Sequence, residues 1–221
     1  FEPLGADYMR LLQGLVALAG PSGIILKPDT ESEAGKQLRL FLEPKFDAAE
    51  QDAMVVKTSI GKLLSEIGYE HGGKQWQGII ESLRRMANVT VVIKRGTREA
   101  AFHLLSYAFD EQDGRLFVAL NPRITDAIMG HRPYTRIELS ETRQLESDPA
   151  RLVHQRLCGW IRAGGDGKTT IETLCGYVWP DETKQPNTLK TRRQTVRKSL
   201  DELRAVGWGV DEYATGKFAI Q

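Results

Sequence analysis

One order of elements occurs twice along this chain, and that repetition restricts the fold more than any other feature of the sequence. Thr58-Ser59-Ile60-Gly61-Lys62-Leu63 matches Thr169-Thr170-Ile171-Glu172-Thr173-Leu174. Each segment opens on hydroxyl side chains suited to cap a helix and continues with apolar residues at helical spacing. These are Ile60, Leu63, Leu64 and Ile67 in the first copy, ending at Gly68, and Ile171, Leu174 and Cys175 in the second. A turn follows: Gly72-Gly73 in one, the polar loop 180–188 with Pro180 and Pro186 in the other. A longer amphipathic helix comes next. Residues 74–87 put Trp76, Ile79, Ile80, Leu83 and Met86 on one face, and residues 188–205 do the same with Leu189, Val196, Leu200 and Leu203. Both copies close in a hairpin, from strands 89–94 and 100–107 in the first and from Trp208–Tyr213 and Gly216–Ile220 in the second. A further apolar-periodic helix precedes each copy. The first spans 7–19, with Asp7 as cap and Gly20-Pro21 as stop; the second starts at Ser147-Asp148-Pro149, with Asp148 as cap, and runs to Gly164-Gly165.

A helix-turn-helix followed by a β hairpin is a winged helix, and a repeated order of elements is read as a repeated unit. The expected fold is therefore α+β, two winged-helix domains in tandem. Residues 1–146 form the first, with extra strands at 37–42, 54–56, 115–120 and 136–139; residues 147–221 form the second.

This division gives the charge a meaning. Over the 221 residues the net charge is only +1, which by itself does not announce a nucleic-acid partner. Residues 1–147 hold 18 Lys and Arg against 20 Asp and Glu, whereas residues 148–221 hold 12 against 9. The excess is concentrated further in residues 188–198, where Lys190, Arg192, Arg193, Arg197 and Lys198 stand without one acid. On a wheel of about 100° per residue, Thr191, Gln194, Thr195 and Lys198 lie opposite the core stripe. Lys190 and Arg197 flank that face on one side and Arg192 on the other. Such a face suits the major groove, since Gln and Lys reach base edges and Arg reaches bases or phosphates. The expected DNA-contacting residues here are Lys190, Thr191, Arg192, Arg193, Gln194, Arg197 and Lys198, with Lys217 in the wing. The first copy offers a weaker set: Lys74, Gln75, Gln77 and Arg85 on the helix, and Lys94, Arg95 and Arg98 at the hairpin tip, where phosphates or the minor groove lie within reach.

Other chemistries find less support. Gly164-Gly165-Asp166-Gly167-Lys168-Thr169 looks like a phosphate loop, but the full pattern needs glycine where Arg162 stands and a strand where a helix is expected. His154 and Cys158 share a helical face, and with Cys175 nearby they would make three zinc ligands. Leu157 and Ile161 lie close to the same face, which favours packing. Two cysteines make no disulfide framework, and no nucleophile, paired-carboxylate or metal constellation has a local signature. No enzyme, cofactor or metal is expected. Hydrophobic residues at 41% with 27% charged residues fit a soluble globular chain, and no apolar run approaches the roughly 18 residues of a membrane span. A chain beginning at Phe1 reads as a fragment whose upstream part is unseen.

Longer stretches carry a family resemblance. They are Pro3-Leu4-Gly5-Ala6-Asp7, Leu12-Gln13-Gly14-Leu15-Val16-Ala17, Gln37-Leu38-Arg39-Leu40-Phe41-Leu42-Glu43-Pro44, Asp52-Ala53-Met54-Val55-Val56-Lys57, Val118-Ala119-Leu120-Asn121-Pro122, His154-Gln155-Arg156-Leu157-Cys158-Gly159-Trp160-Ile161 and Thr173-Leu174-Cys175-Gly176-Tyr177-Val178-Trp179-Pro180. In these the sequence resembles the RepC replication initiators of IncQ-type broad-host-range plasmids. The resemblance implies tandem winged helices without a catalytic site. It implies binding to directly repeated iterons in double-stranded origin DNA, origin opening, admission of the plasmid helicase and primase, and a part in plasmid copy control. Self-association on adjacent repeats and a bacterial cytoplasmic location go with that role. Two other functions fit the same fold: a transcriptional repressor or autoregulator, and a protein-interaction module of a replication complex.

Overall fold

A computed structural model describes residues 5–42, 52–131, 133–162 and 164–221. The quoted Pro3, Leu4, Glu43 and Pro44 lie outside them, as do the side chains of Arg95 and Arg98. The protein is mixed α+β with small antiparallel sheets. It divides into two compact units, Arg10–Tyr134 and Phe1–Met9 with Thr135–Gln221. Among the described residues, no helix is long and apolar enough to cross a membrane.

In the unit Arg10–Tyr134, helix α1 (Ala6–Ser22, which starts in the other unit) leads to β1 (Ile24–Leu26), α2 (Glu33–Leu42) and β2 (Ala53–Ser59). β2 passes directly into α3 (Ile60–Ile67), because the Ser59 side chain accepts a hydrogen bond from the Lys62 amide at 3.2 Å. Gly68, at φ 70°, ends the helix in the left-handed region. Ile60, Leu63, Leu64 and Ile67 are all buried on one face. α1 packs directly on α3: a Cβ at Gly14 would run into Ile67 Cγ2. Buried Arg10 then satisfies the carbonyls at the end of α3, its Nε donating to Ile67 O at 2.6 Å and its Nη2 to Gly68 O at 3.3 Å. Helix α4 (Gly73–Ala87) follows and buries Ile79, Leu83 and Met86. Next come β3 (Thr90–Arg95), β4 (Arg98–His103), β5 (Leu105–Phe109), β6 (Arg115–Leu120) and α5 (Pro122–Ile128). The main sheet has the order β1-β2-β6-β5, while β3 and β4 form a two-stranded sheet of their own.

The other unit contains α6 (Leu139–Gln144), α7 (Asp148–Trp160), β7 (Gly167–Thr170), α8 (Ile171–Val178), α9 (Pro186–Ala205), β8 (Val210–Ala214) and β9 (Lys217–Ile220). Its sheet has the order β7-β9-β8. One core joins all three major helices to that sheet: Val153 and Leu157 of α7, Ile171 and Leu174 of α8, Val196, Leu200 and Leu203 of α9, and Phe218 and Ile220 of β9. Whereas the sequence division is drawn between residues 146 and 147, the compact units part between 134 and 135. Two carboxylates account for the placement of α6 and the residues after it. Glu141 accepts from Trp208 Nε1 at 3.0 Å, and Glu202 accepts from the amides of Glu146 and Ser147 at 2.8 and 3.0 Å.

Several local expectations change. Residues 37–42 are helical, not a strand: α2 is a run of good helix formers opened by Ser32, whose hydroxyl accepts from the Gly35 amide at 3.1 Å. Six alternating residues do not distinguish the two periods, and exposed Leu40 belongs to no buried stripe. Residues 136–138 form no strand, and α6 begins at Leu139. α1 continues through Gly20-Pro21 to Ser22. Ser147 rather than Asp148 caps α7, accepting from Ala150 N at 3.3 Å. The 100–107 strand is two strands in different sheets, with Leu104 between them; the Leu104 amide donates to Val89 O.

Candidate nucleic-acid interface

Helix α9 is the basic element, and its start is set by Pro186. Proline at the first helical position lacks only an amide that would have no partner there and already has a helical φ. The helix therefore begins two residues ahead of the expected 188 and takes in Asn187. Val196, Ser199, Leu200 and Leu203 are buried, which turns Asn187, Lys190, Thr191, Gln194 and Lys198 to solvent. Among the described residues, the side chains of Asn187, Lys190, Gln194 and Lys198 make no hydrogen bond or ion pair. Thr191 Oγ1 donates back along the helix to Asn187 O at 3.0 Å.

The arginines of α9 expected to contact DNA, Arg192, Arg193 and Arg197, are arranged differently. Arg192 is nearly enclosed: its guanidinium lies 5.3 Å from the Trp179 ring centre and donates to Asp181 O at 2.9 Å and Asp181 Oδ2 at 2.6 Å. The bonded guanidinium also holds the Asp181 carboxyl below its usual range. Arg192 thus fastens the turn between α8 and α9. Arg197 makes a two-pronged pair with Glu212 of β8, at 2.5 and 2.8 Å, and stands over Phe218. Glu212 also accepts from Gly216 N at 2.7 Å at the hairpin turn. Those donors lower the Glu212 carboxyl to about 2. Arg193 is exposed and pairs with Glu172 of α8 at 3.1 Å, a contact of small worth. Lys217 is exposed at the start of β9, beside the turn that Glu212 holds.

On the first unit, Lys74, Gln75 and Gln77 are exposed along the first turns of α4, and Lys94 is exposed near the tip of the β3–β4 hairpin. Arg85 pairs with Glu81 at 3.3 Å. Trp76, which the periodicity puts in the core stripe, is 39% exposed and meets Phe109 of β5 edge-on at 6.0 Å.

The other chemistries can be placed too. Gly167 to Thr170 is strand β7, paired with β9 from Gly167↔Ile220 to Thr170↔Lys217, an extended edge strand rather than a loop wrapped around a phosphate. His154 is fully buried, with Nε2 2.8 Å from Glu141 Oε2 and its ring edge-on to Trp208 at 5.5 Å. Cys158 Sγ lies 3.6 Å from the same nitrogen, and burial pushes its thiol up to about 11, away from the thiolate that a ligand or nucleophile needs. Among the described residues, no group of three His, Cys, Asp or Glu is placed to hold a metal.

A family model, Replication protein C (RepC), matches residues 1–221. The chain belongs to the RepC family. It is accordingly a replication protein by descent. Its fold is shared with solved structures of RctB: the crystal structure of selenomethionine derivatives of domains 2 and 3 aligns with a TM-score of 0.57 at 11% identity, covering 98% of this chain and 81% of that one. A second crystal structure of RctB domains 2–3 gives 0.55 at 11% identity, covering 97% and 80%. At that identity the likeness is one of fold. No curated protein matches the chain.

Asn187 is the member of the α9 face that sequence reasoning missed. The signal was present: Pro186 after a polar residue marks a helix start as well as a loop.

Proposed function

We propose that this RepC-family protein is a plasmid replication initiator of the IncQ type that binds directly repeated iterons in double-stranded origin DNA through two winged helices. α9 enters the major groove, with Lys190, Gln194 and Lys198 facing the DNA and Lys217 at the flanking wing. α4 and the β3–β4 hairpin make the second, weaker engagement through Lys74, Gln75, Gln77 and Lys94, with Arg85, Arg95 and Arg98 on the same elements. Helices of the two heads would occupy successive grooves about one turn (~10.5 bp) apart. Bound copies on adjacent repeats would strain the duplex, opening it for helicase and primase.

The observation that carries this reading is the unpartnered polar and cationic face of α9, the second helix of a helix–turn–helix and the one before a hairpin, in a chain of a replication family. Arg192, Arg193 and Arg197 then act mainly by holding the turn, α8 and the hairpin in place, and reach phosphate only by leaving their carboxylates. Gel-shift titration against origin DNA carrying direct repeats, at two salt concentrations, tests the proposal. Tight binding that weakens steeply with salt and leaves a footprint of two grooves per monomer supports it. Equal affinity for repeat-free DNA, or protection of a single groove, contradicts it.

A further inference from the structure

Resting on that reading, we infer that α9 reads adenines, through the paired carboxamides of Asn187 and Gln194. Arginine is the usual reader of guanine, and the sequence of α9 offers four. All four are engaged within the unit: Arg192 with Asp181 and Trp179, Arg193 with Glu172, Arg197 with Glu212, and Arg204 with Asp201 and the Val210 carbonyl. The Thr191 hydroxyl on the exposed face already donates to Asn187 O, and the carboxamides left there are Asn187 and Gln194. Neither has a side-chain partner among the described residues. A carboxamide that both donates and accepts matches the N7 and N6 edge of adenine.

Their spacing is as informative as their chemistry. Residues i and i+7 fall within about 20° of each other around a helix and about 10.5 Å apart along it. That rise equals about three base-pair steps of 3.4 Å. Asn187 lies in the first turn, the part of a recognition helix that reaches base edges most directly. Lys190 and Lys198 bracket Gln194 at i−4 and i+4, positions from which an ammonium anchors the backbone around the bases being read. The bound element should therefore contain two adenines about three base pairs apart.

Selection of the full chain from duplexes with a randomised window of about 20 base pairs tests this, the window covering two turns. The wild type should enrich two A·T pairs about three positions apart. Asn187→Ala should lose discrimination at one and Gln194→Ala at the other, each by about 5- to 150-fold. Both positions are exposed on a helix, where alanine is well tolerated, and Lys190→Ala serves as the comparison, weakening every sequence with the motif intact. If Asn187→Ala and Gln194→Ala behave like Lys190→Ala, the inference fails while the initiator reading stands. If the wild type enriches no motif, the initiator reading fails and the inference with it.

Discussion

Ser59 and Thr170 cap their helices in the same way, each accepting from the amide three residues on at 3.2 Å, yet the strands in front of them have different partners. β7 pairs with β9, so in the second unit the capped helix, the basic helix and the hairpin share one core. β2 instead pairs with β1 and β6, and the β3–β4 hairpin is left as a two-stranded sheet. An isolated two-stranded hairpin is marginal, so the β3–β4 hairpin depends on what it packs against at its base. The Arg197–Glu212 pair sharpens the contrast by joining α9 to the strand beside it, and Glu212 also holds the hairpin turn. Repetition of a motif in sequence thus does not repeat its mechanics. The second unit joins helix and hairpin through one core and one ion pair, and the first spends its leading strand on a larger sheet.

The largest expected effect tests how each unit fastens the end of its capped helix. Arg10→Ala removes a buried guanidinium from two carbonyls at the end of α3 and should destabilise the first unit by about 2–3 kcal/mol. Arg192→Ala, its counterpart at the turn after α8, leaves the Asp181 carbonyl and carboxylate where water can reach them and should cost about 1 kcal/mol in the second. Urea unfolding of the two variants measures the difference; equal losses would break the comparison.

Next come the caps. Ser59→Ala and Thr170→Ala should each cost about 1 kcal/mol by thermal denaturation, because the geometry they remove is the same. A loss confined to one of them would show that only one copy depends on its cap.

The smallest effect is one of pH. The Glu212 carboxyl falls from its ordinary 4.5 to about 2 because Arg197 and the Gly216 amide bond to its charged form. A carboxyl depressed in the folded state stabilises above its unfolded value, and that contribution is lost as pH falls from 4.5 toward 2. Glu212→Gln should flatten this part of the acid unfolding profile of the second hairpin. An unchanged profile would mean that the pair holds nothing there.

Much of this contrast was legible in the chain. Hydroxyl caps, Gly68, and the apolar spacing of residues 60–67, 79–86 and 196–203 depend on neighbours within a few residues, and they reappear in place. What was not legible depends on partners far along the chain. The choice of β2 for β6 rather than the hairpin is a matter of which strands compete. The helical state of 37–42 is hidden by a six-residue alternation that suits either period. Likewise, the basic count of α9 could not reveal that Asp181, Glu172 and Glu212 would each engage one of its arginines, since Asp181 lies in the turn before the helix, Glu172 on α8 and Glu212 in the hairpin.

Under the proposed function, the second unit leads in holding DNA. That lead is tested by the salt dependence of binding to origin repeats for two double variants, Lys190→Ala with Lys198→Ala on α9 and Lys74→Ala with Lys94→Ala on the first unit. The α9 pair should lower the slope of log affinity against log salt by about 2, near 0.9 per phosphate contact, and the first-unit pair by clearly less. A larger change from Lys74→Ala with Lys94→Ala would contradict it.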